Sequence, residues 1–539
     1  MGSASPPRPG LPSRADALDR LGSERFDLLV VGGGITGAGV ALDAATRGLR
    51  VALIEARDYA AGTSSRSSKL VHGGLRYLQQ GELGLVRQSA REREVLRRLA
   101  PHLVYPLPFV LPADTAGVLT RTGLRTYDLL ARVPRGLRHR EVGRRTAAAM
   151  TGGIEARAGA FVYHDCATDD ARLTLEVLHA AAAIGAVACN HVRAVALCGV
   201  GGRAAGCEAT DALSGRGLTI RATDVVNAAG VWADEVRALE DPGAGPALRP
   251  SKGIHLVLPR SLLDPAAAAL VPAPAGRRIF AIPWRSRVLV GPTDADYGDA
   301  LDAPAAAAEE VDELLVSLSR AYGRPFDRAS VVSAFAGLRP LVAAPGTAAT
   351  TDLSRRHVLT TGPSGMVTLT GGKLTTYRHM AQEAVDLLAS RRGYGPSVTA
   401  RTPLQGDGGV RAALEARTAE LGLPGSVAAS LLLSYGDRAP AVLALAEEED
   451  LADPLVAGLP YLRAELVWGA RREQAATVGD LLARRTRLAL EDRDGGLGGK
   501  ATPALLASVL GISAQEAAAQ VAAYRSALAH ERGPALARP

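Results

Sequence analysis

Cysteine is scarce in this chain: four residues in 539, Cys166, Cys189, Cys198 and Cys207, and none beyond. No pair has C-x-x-C spacing, which argues against an iron–sulfur or zinc centre and against a disulfide framework, and suits a reducing compartment. Aromatic residues make up 4%, so stacking platforms for single-stranded nucleic acid are poorly supported and no nucleic-acid partner is expected. Long apolar runs are also missing. The longest uncharged, apolar-rich stretch, residues 177–192, contains His179, Gly185 and Asn190 and reads as helix, turn and strand, so any membrane contact is expected to be peripheral. Residues 1–24 are rich in Pro, Ser, Arg and Gly and carry no apolar signal core; they read as a disordered leader. Lysine occurs only at 69, 252, 373 and 500, so the other cations are arginines. The net charge of +7 is a mild excess of 62 basic over 55 acidic residues. It favours an anionic substrate or an anionic membrane surface.

What is present is a dinucleotide signature. Residues 26–31 form an apolar run readable as a strand buried on both faces. Gly32-Gly33-Gly34-Ile35-Thr36-Gly37 follows, with Gly32, Gly34 and Gly37 filling G-x-G-x-x-G. The first glycine permits the tight turn, the second lets backbone approach a pyrophosphate, and the third lets helix and strand pack closely. N–H groups at the start of a helix from about Ile35 face the phosphates. A second strand, 50–55, ends at Glu55, where a carboxylate accepts the adenosine ribose hydroxyls; an acid here argues against a 2′-phosphate but does not separate NAD from FAD.

The chain is long enough for two or three domains. Segments 25–90, 160–235 and 345–395 have α/β character and are expected to build the dinucleotide domain. Segments 91–159 and 236–344 would form a substrate or cap domain, with antiparallel strands at 251–258, 278–284, 288–291 and 331–336. Beyond residue 400 the pattern is all helical. Interleaving of this kind suits a flavoprotein with a sheet laid over its ring system better than a nicotinamide dehydrogenase, which keeps its cofactor fold in one block.

Six stretches then stand out in order: Ser64-Ser-Arg-Ser-Ser-Lys-Leu-Val-His-Gly-Gly-Leu-Arg-Tyr-Leu78, Asp165-Cys-Ala-Thr-Asp-Asp-Ala-Arg-Leu173, Val226-Asn-Ala-Ala-Gly-Val-Trp232, Lys252-Gly-Ile-His255, Gly337-Leu-Arg-Pro-Leu341 and Gly371-Gly-Lys-Leu-Thr-Thr-Tyr-Arg378. Over roughly residues 25–390 the sequence resembles the FAD-dependent, quinone-linked glycerol-3-phosphate dehydrogenases, members of the amino-acid-oxidase-like flavoproteins. The resemblance implies a Rossmann-type FAD-binding domain interleaved with an antiparallel-sheet substrate domain, plus an all-helical C-terminal domain. It implies FAD as cofactor, oxidation of sn-glycerol 3-phosphate to dihydroxyacetone phosphate by hydride transfer from C2 to flavin N5, a membrane quinone as acceptor, and a cytoplasmic enzyme held peripherally on the inner face of the cell membrane, with a homodimer left open.

Arg76 and Arg339 are candidate phosphate clamps, since a guanidinium binds two oxygens at once; the resemblance adds Tyr77 and Arg355 to the substrate shell. His255 alternates with the apolar Ile254 and Leu256 and is the first choice for general base, with His72 as competitor. Lys373, at a helix start after Gly371 and Gly372, would stabilise negative charge on flavin or substrate. Ser64, Ser65, Ser68, Lys69, His72, Gly73 and Gly74 are expected along FAD, as are Ala229, Gly230, Gly372, Leu374 and Thr375. Other readings are an oxidase using oxygen, an amine oxidase of the same fold, which the cluster of Arg76, Arg339 and Lys373 disfavours, and a flavin-binding subunit or sensor without turnover of its own.

Overall fold

A computed structural model describes residues 10–75, 82–113, 117–343, 356–404, 406 and 409–536. Two large sheets organise them. In the first, Arg25–Val31 lies between the parallel strands Gly217–Asn227 and Val51–Ile54. Val187–Cys189 extends it beyond Val51–Ile54, Val367–Gly371 joins on the other side, and His357–Thr361 closes that edge antiparallel. The apolar runs of the interior strands have a simple cause, since both faces are covered. Helices Ile35–Thr46, Asp170–Ala182 and Tyr377–Arg392 bury one face in a core that includes Val30, Leu53, Leu175 and Val385. Gly39 makes this packing possible, because a Cβ there would press on the Tyr377 ring and Ala381.

The other face corrects the expected disordered leader. Residues Arg14–Ser23 form a helix, capped by the Ser13 hydroxyl accepting from the Asp16 amide. Ala17, Leu18 and Leu21 are buried against Phe26, Leu29, Ile54 and Ile220. Three apolar residues at helical spacing were enough to pin a segment whose composition looked solvated. Leu11 donates its amide to the Arg472 carbonyl and Gln474 donates to the Pro12 carbonyl, so this segment also reaches the helical C-terminal region.

The second sheet is mostly antiparallel. Ser251–Pro259 pairs with Ser333–Arg339 on one side and Arg287–Gly291 on the other, and the sheet continues through Arg278–Trp284, Ala268–Pro272, Tyr105–Pro112, Ala160–Ala167 and Leu70–Val71. Helix Ala308–Tyr322 covers it through Val311, Leu314 and Leu318. Two short stretches assigned by sequence to the dinucleotide domain therefore belong here: Leu70–Val71 and Ala160–Ala167 hydrogen-bond to this sheet. Strand Tyr105–Pro112 was hidden by its prolines. Pro106 and Pro108 fall at alternate positions, so they remove donors from one edge only.

The C-terminal region is helical, as its pattern indicated, from Arg411–Glu420 to Ala514–Arg532, with the wider turns of a π-helix over Asp480–Arg485. It is riveted to the first unit by buried ion pairs. Arg172 makes a bidentate pair with Glu473, both hydrogen bonds 2.8 Å; Arg485 pairs with Asp58 at 2.7 and 2.8 Å, and Arg438 pairs with Glu176. Each partner is excluded from solvent, so removing either one would strand a buried charge.

Candidate active site

The glycine turn shows why glycine is required at two positions. Gly32 has φ +117°, and a Cβ there would collide with the Ala228 backbone. A Cβ on Gly37 would run into the Gly32 carbonyl oxygen. Gly34 precedes helix Ile35–Thr46 in extended conformation and offers no capping side chain. The Ile35 amide is met instead by Ser64 Oγ at 3.0 Å, which brings the polar 62–74 segment to the positive end of that helix. Glu55 closes the turn at the end of the next strand. Its carboxylate accepts from the Gly33 amide at 2.6 Å and the Arg57 amide at 2.9 Å. Burial raises its pKa above the ordinary 4.5, against the pull of those two donors. Asn227 Oδ1 accepts the Ala229 amide at the end of Gly217–Asn227, and Gly230 turns the chain away at φ +61°. Close backbone approach, a glycine at the N-cap position and an acid at the next strand end are the features a dinucleotide's pyrophosphate and ribose require.

The 62–74 segment is bound at nearly every residue. A Cβ on Gly62 would meet the Trp232 ring, and Thr63 donates to the Leu338 carbonyl. Ser67 donates both its amide and its hydroxyl to Asp170, at 3.0 and 2.7 Å. Lys69 is inaccessible to solvent, in the left-handed region at φ +56°. Its ammonium donates to the Ser65 carbonyl and to Asp170, both at 2.9 Å, and lies 5.3 and 5.0 Å from the ring centres of Trp284 and Phe335. Burial and the neighbouring Arg487 hold its pKa down to about 8. The Lys69 side chain thus serves the protein interior, and its backbone N–H and C=O are engaged by Ser67 and Thr168. Lys252, part-exposed, pairs with Glu310 at 2.8 Å. The Gly73 amide donates to Asp165, which also holds Tyr127 and Arg93; the phenol oxygen leaves no room for a Cβ on Gly73. Gly74 adopts φ +80°. His72 exchanges backbone hydrogen bonds with the Thr375 hydroxyl, tying this segment to the turn carrying Lys373. That turn has Gly371 and Gly372 at φ +74° and +81°, and Lys373 and Leu374 lead into helix Tyr377–Arg392.

His255 and Arg339 come from paired strands. The register sets His255 opposite Phe335 and Ser251 opposite Arg339. The imidazole is 2% exposed, stacks on Phe335 with ring centres 4.9 Å apart, and places Nε2 2.9 Å from Ser68 Oγ. Burial first, then Lys69 and Arg339, push its pKa well below 6.5, so the ring is neutral. A neutral imidazole can accept a proton. Arg339 Nη1 donates to Asp294 at 2.9 Å and to Ser251 Oγ at 3.0 Å, and Nη2 donates to the Thr293 carbonyl at 2.9 Å. Sequence reading missed Asp294, which no local motif marks, and gave no role to Asp170, although it lies in the 165–173 stretch. The structure therefore joins Ser64, Ser68, His72, His255 and Thr375 through one polar segment. Arg76, Tyr77 and Arg355 lie outside the described residues.

The cysteines take no part. Cys166, Cys189 and Cys207 are buried, and burial pushes each thiol up to about 12.

Comparison with known proteins then fixes the family. Residues 27–378 match the FAD dependent oxidoreductase family, and residues 397–517 match the C-terminal domain of alpha-glycerophosphate oxidase. The glycerol-3-phosphate dehydrogenase of Mycobacterium leprae is 39% identical over 530 residues, covering 96% of this chain and 90% of that protein. The chain belongs to the FAD-dependent glycerol-3-phosphate dehydrogenase family. The human mitochondrial glycerol-3-phosphate dehydrogenase is 36% identical over 522 residues, 89% of this chain and 70% of that protein. A structure of the glycerol-3-phosphate dehydrogenase from Bacillus halodurans complexed with FAD superposes with a TM-score of 0.78 at 29% identity, over 98% of this chain and 99% of that one. Glycine oxidase from Geobacillus kaustophilus, at 18% identity and a TM-score of 0.53 over 69% of this chain, shares the fold alone. The interleaved flavoprotein architecture with a helical C-terminal domain is thus that of the family, and FAD is its cofactor.

Proposed function

We propose that this enzyme oxidises sn-glycerol 3-phosphate to dihydroxyacetone phosphate and passes the electrons to a membrane quinone. The relatives' names support the substrate. The observation that carries the reading is the neutral, buried His255 on the strand paired to that of Arg339, with Ser68 of the glycine-rich segment hydrogen-bonded to its ring. Bound FAD supplies the acceptor for the hydride that leaves C2. The protein must do the rest. His255 takes the hydroxyl proton; with Nε2 engaged by Ser68, Nδ1 is the atom without a hydrogen-bond partner among the described residues and is the one assigned to receive it. Arg339, together with Arg76, Tyr77, Arg355 and Lys373, holds the phosphate dianion, with Asp294 and the Thr293 carbonyl fixing the plane of the Arg339 fork. Glu55 and the helix that begins at Ile35 hold the adenosine end of the cofactor.

A quinone acceptor calls for a bilayer surface. Arg132, Arg135, Arg138, Arg140, Arg144 and Arg145 are all exposed, and Leu129 beside them is 79% exposed. A basic strip with an apolar neighbour suits peripheral docking to anionic lipid on the cytoplasmic face. No single helix among the described residues is long and apolar enough to cross a membrane. Oxygen as acceptor is the second reading, favoured by the match of residues 397–517 to the C-terminal domain of alpha-glycerophosphate oxidase.

Anaerobic titration with sn-glycerol 3-phosphate tests the reaction: bleaching of the yellow chromophore supports it, and an unchanged spectrum with saturating substrate sinks it. Peroxide yield with and without a quinone analogue then separates the two acceptors.

A further inference from the structure

The helical C-terminal domain reaches the 65–69 segment through a buried side chain, Arg487. Arg487 is 1% exposed and sits between the turns of Asp480–Arg485 and the short helix Leu488–Glu491. Its Nη2 donates to the Ser65 carbonyl at 3.1 Å and to Asp170 Oδ1 at 3.2 Å. These are the same two acceptors that Lys69 uses. One carbonyl and one carboxylate oxygen are each shared by two cations from distant parts of the chain. The other Asp170 oxygen holds Ser67, whose hydroxyl in turn accepts the Lys69 amide at 3.0 Å. A second contact comes from the last helix, where Glu531 pairs with Arg66. Ser65, Arg66, Ser67 and Lys69 are therefore all fixed. Ser68 lies among them, and its hydroxyl bears on His255 Nε2.

We propose that Arg487 is a positioning residue for the oxidation: by clamping the 65–69 segment it sets the Ser68 hydroxyl that orients the His255 ring. The inference rests on His255 being the general base of the proposed reaction. The charge pattern supports it. Asp170 faces Lys69 and Arg487, and Asp169, 3.6 Å from Arg487 Nε, also pairs with Arg285. Losing Arg487 leaves Lys69 to hold Asp170 and the Ser65 carbonyl by itself, so the segment keeps its neutralising cation and the Arg66–Glu531 pair but loses its buried tether to the helical domain. That predicts a misaligned base rather than a collapsed fold. Both contacts come from the one nitrogen Nη2, while Nη1 donates to the Ala483 carbonyl at 3.0 Å and so ties the guanidinium back to its own domain.

The experiment is a double-mutant cycle of Arg487→Gln with Ser68→Ala, read two ways. Each single variant is expected to lower kcat by about tenfold while the KM for sn-glycerol 3-phosphate and the FAD content stay within about twofold. Because Arg487 acts through Ser68, the double variant should be no slower than Ser68→Ala alone. Multiplied losses, or a wild-type kcat in Arg487→Gln, would overturn the proposal. The second readout needs no turnover: in flavin-free protein the His255 imidazole NMR resonances should shift alike in both single variants, and an unmoved signal in Arg487→Gln also overturns it. If Arg487→Gln does not fold, Glu531→Gln loosens Arg66 with the buried cluster intact, and a smaller displacement of the same signal is expected; none would count against the proposal. Wild-type protein that does not oxidise sn-glycerol 3-phosphate would sink the proposed reaction while leaving the coupling of these NMR signals to stand or fall separately.

Discussion

Arg339 Nη1 lies 2.9 Å from Asp294 Oδ1, and the same nitrogen is 3.0 Å from Ser251 Oγ. The guanidinium is thus held in one plane by its own sheet before any substrate arrives. Such fixing lowers the entropy lost on binding a phosphate. Arg339→Ala is expected to raise the KM for sn-glycerol 3-phosphate by ~10- to 100-fold, the worth of a charge-assisted pair, with FAD retained. Steady-state kinetics and the flavin absorbance of the purified variant check this, and parallel loss of both would refute the clamp.

His255→Asn removes the proton acceptor and leaves a shorter polar side chain in its place. A fall of ~10²- to 10⁴-fold in kcat/KM is expected. Because burial, Lys69 and Arg339 hold the wild-type pKa well below 6.5, wild-type kcat at saturating substrate should stay flat as pH drops through 6.5 and fall only in more acid solution. An acid limb centred at the ordinary imidazole value would show that another group is the base.

The cofactor turn makes a sharper structural prediction. Gly37→Ala drives a methyl into the Gly32 carbonyl, so the purified variant should be colourless and melt at a lower temperature. Glu55→Gln keeps the volume but weakens the grip on the Gly33 amide and on ribose, and should lower FAD affinity by ~10-fold. Flavin fluorescence on dilution measures it.

Two buried histidines set an acid weakness. His255 and His179 both have pKa values pushed below 6.5 by burial, His179 also by Arg438. The unfolded chain takes up these protons near pH 6.5 and the folded one does not. Stability is therefore unaffected above this range and declines as pH falls below it, by up to ~1.4 kcal/mol per pH unit for each group. Thermal melts between pH 7.5 and 5 should show the fall, and His179→Gln should flatten part of it.

The N-terminal helix is a fifth target. Leu21 is inaccessible to solvent, and Leu21→Ala should cost ~2–5 kcal/mol. A melt identical to wild type would mean the helix does not hold its place in solution.

The glycine turn was legible because its geometry is local. Three glycines and an acid at fixed spacing define the turn, and the structure places Gly32, Gly37 and Glu55 as that spacing requires. Helices after residue 400 were legible from periodicity alone. The rest depends on partners far apart in sequence. Lys69 reads as a cofactor contact until Asp170, Trp284 and Phe335 close around it. Arg487 is one arginine among many, and its distinction is a contact with residue 65, 422 positions away. The Arg14–Ser23 helix was obscured because its composition is polar while its three buried positions are not. Strand Tyr105–Pro112 was concealed by residues that usually end strands.

Trp284 is buried to 1% exposure, donates its indole N–H to the Thr168 carbonyl, and has Lys69, Arg285 and Arg487 within 6 Å of its ring centre. Trp232 and Trp468 are the other tryptophans. An indole ringed by cations emits at a wavelength set by their field, so with Trp232 and Trp468 replaced by phenylalanine the enzyme carries an intrinsic optical gauge. Its emission would register, without any label, rearrangements of charge beneath the segment that carries Ser68.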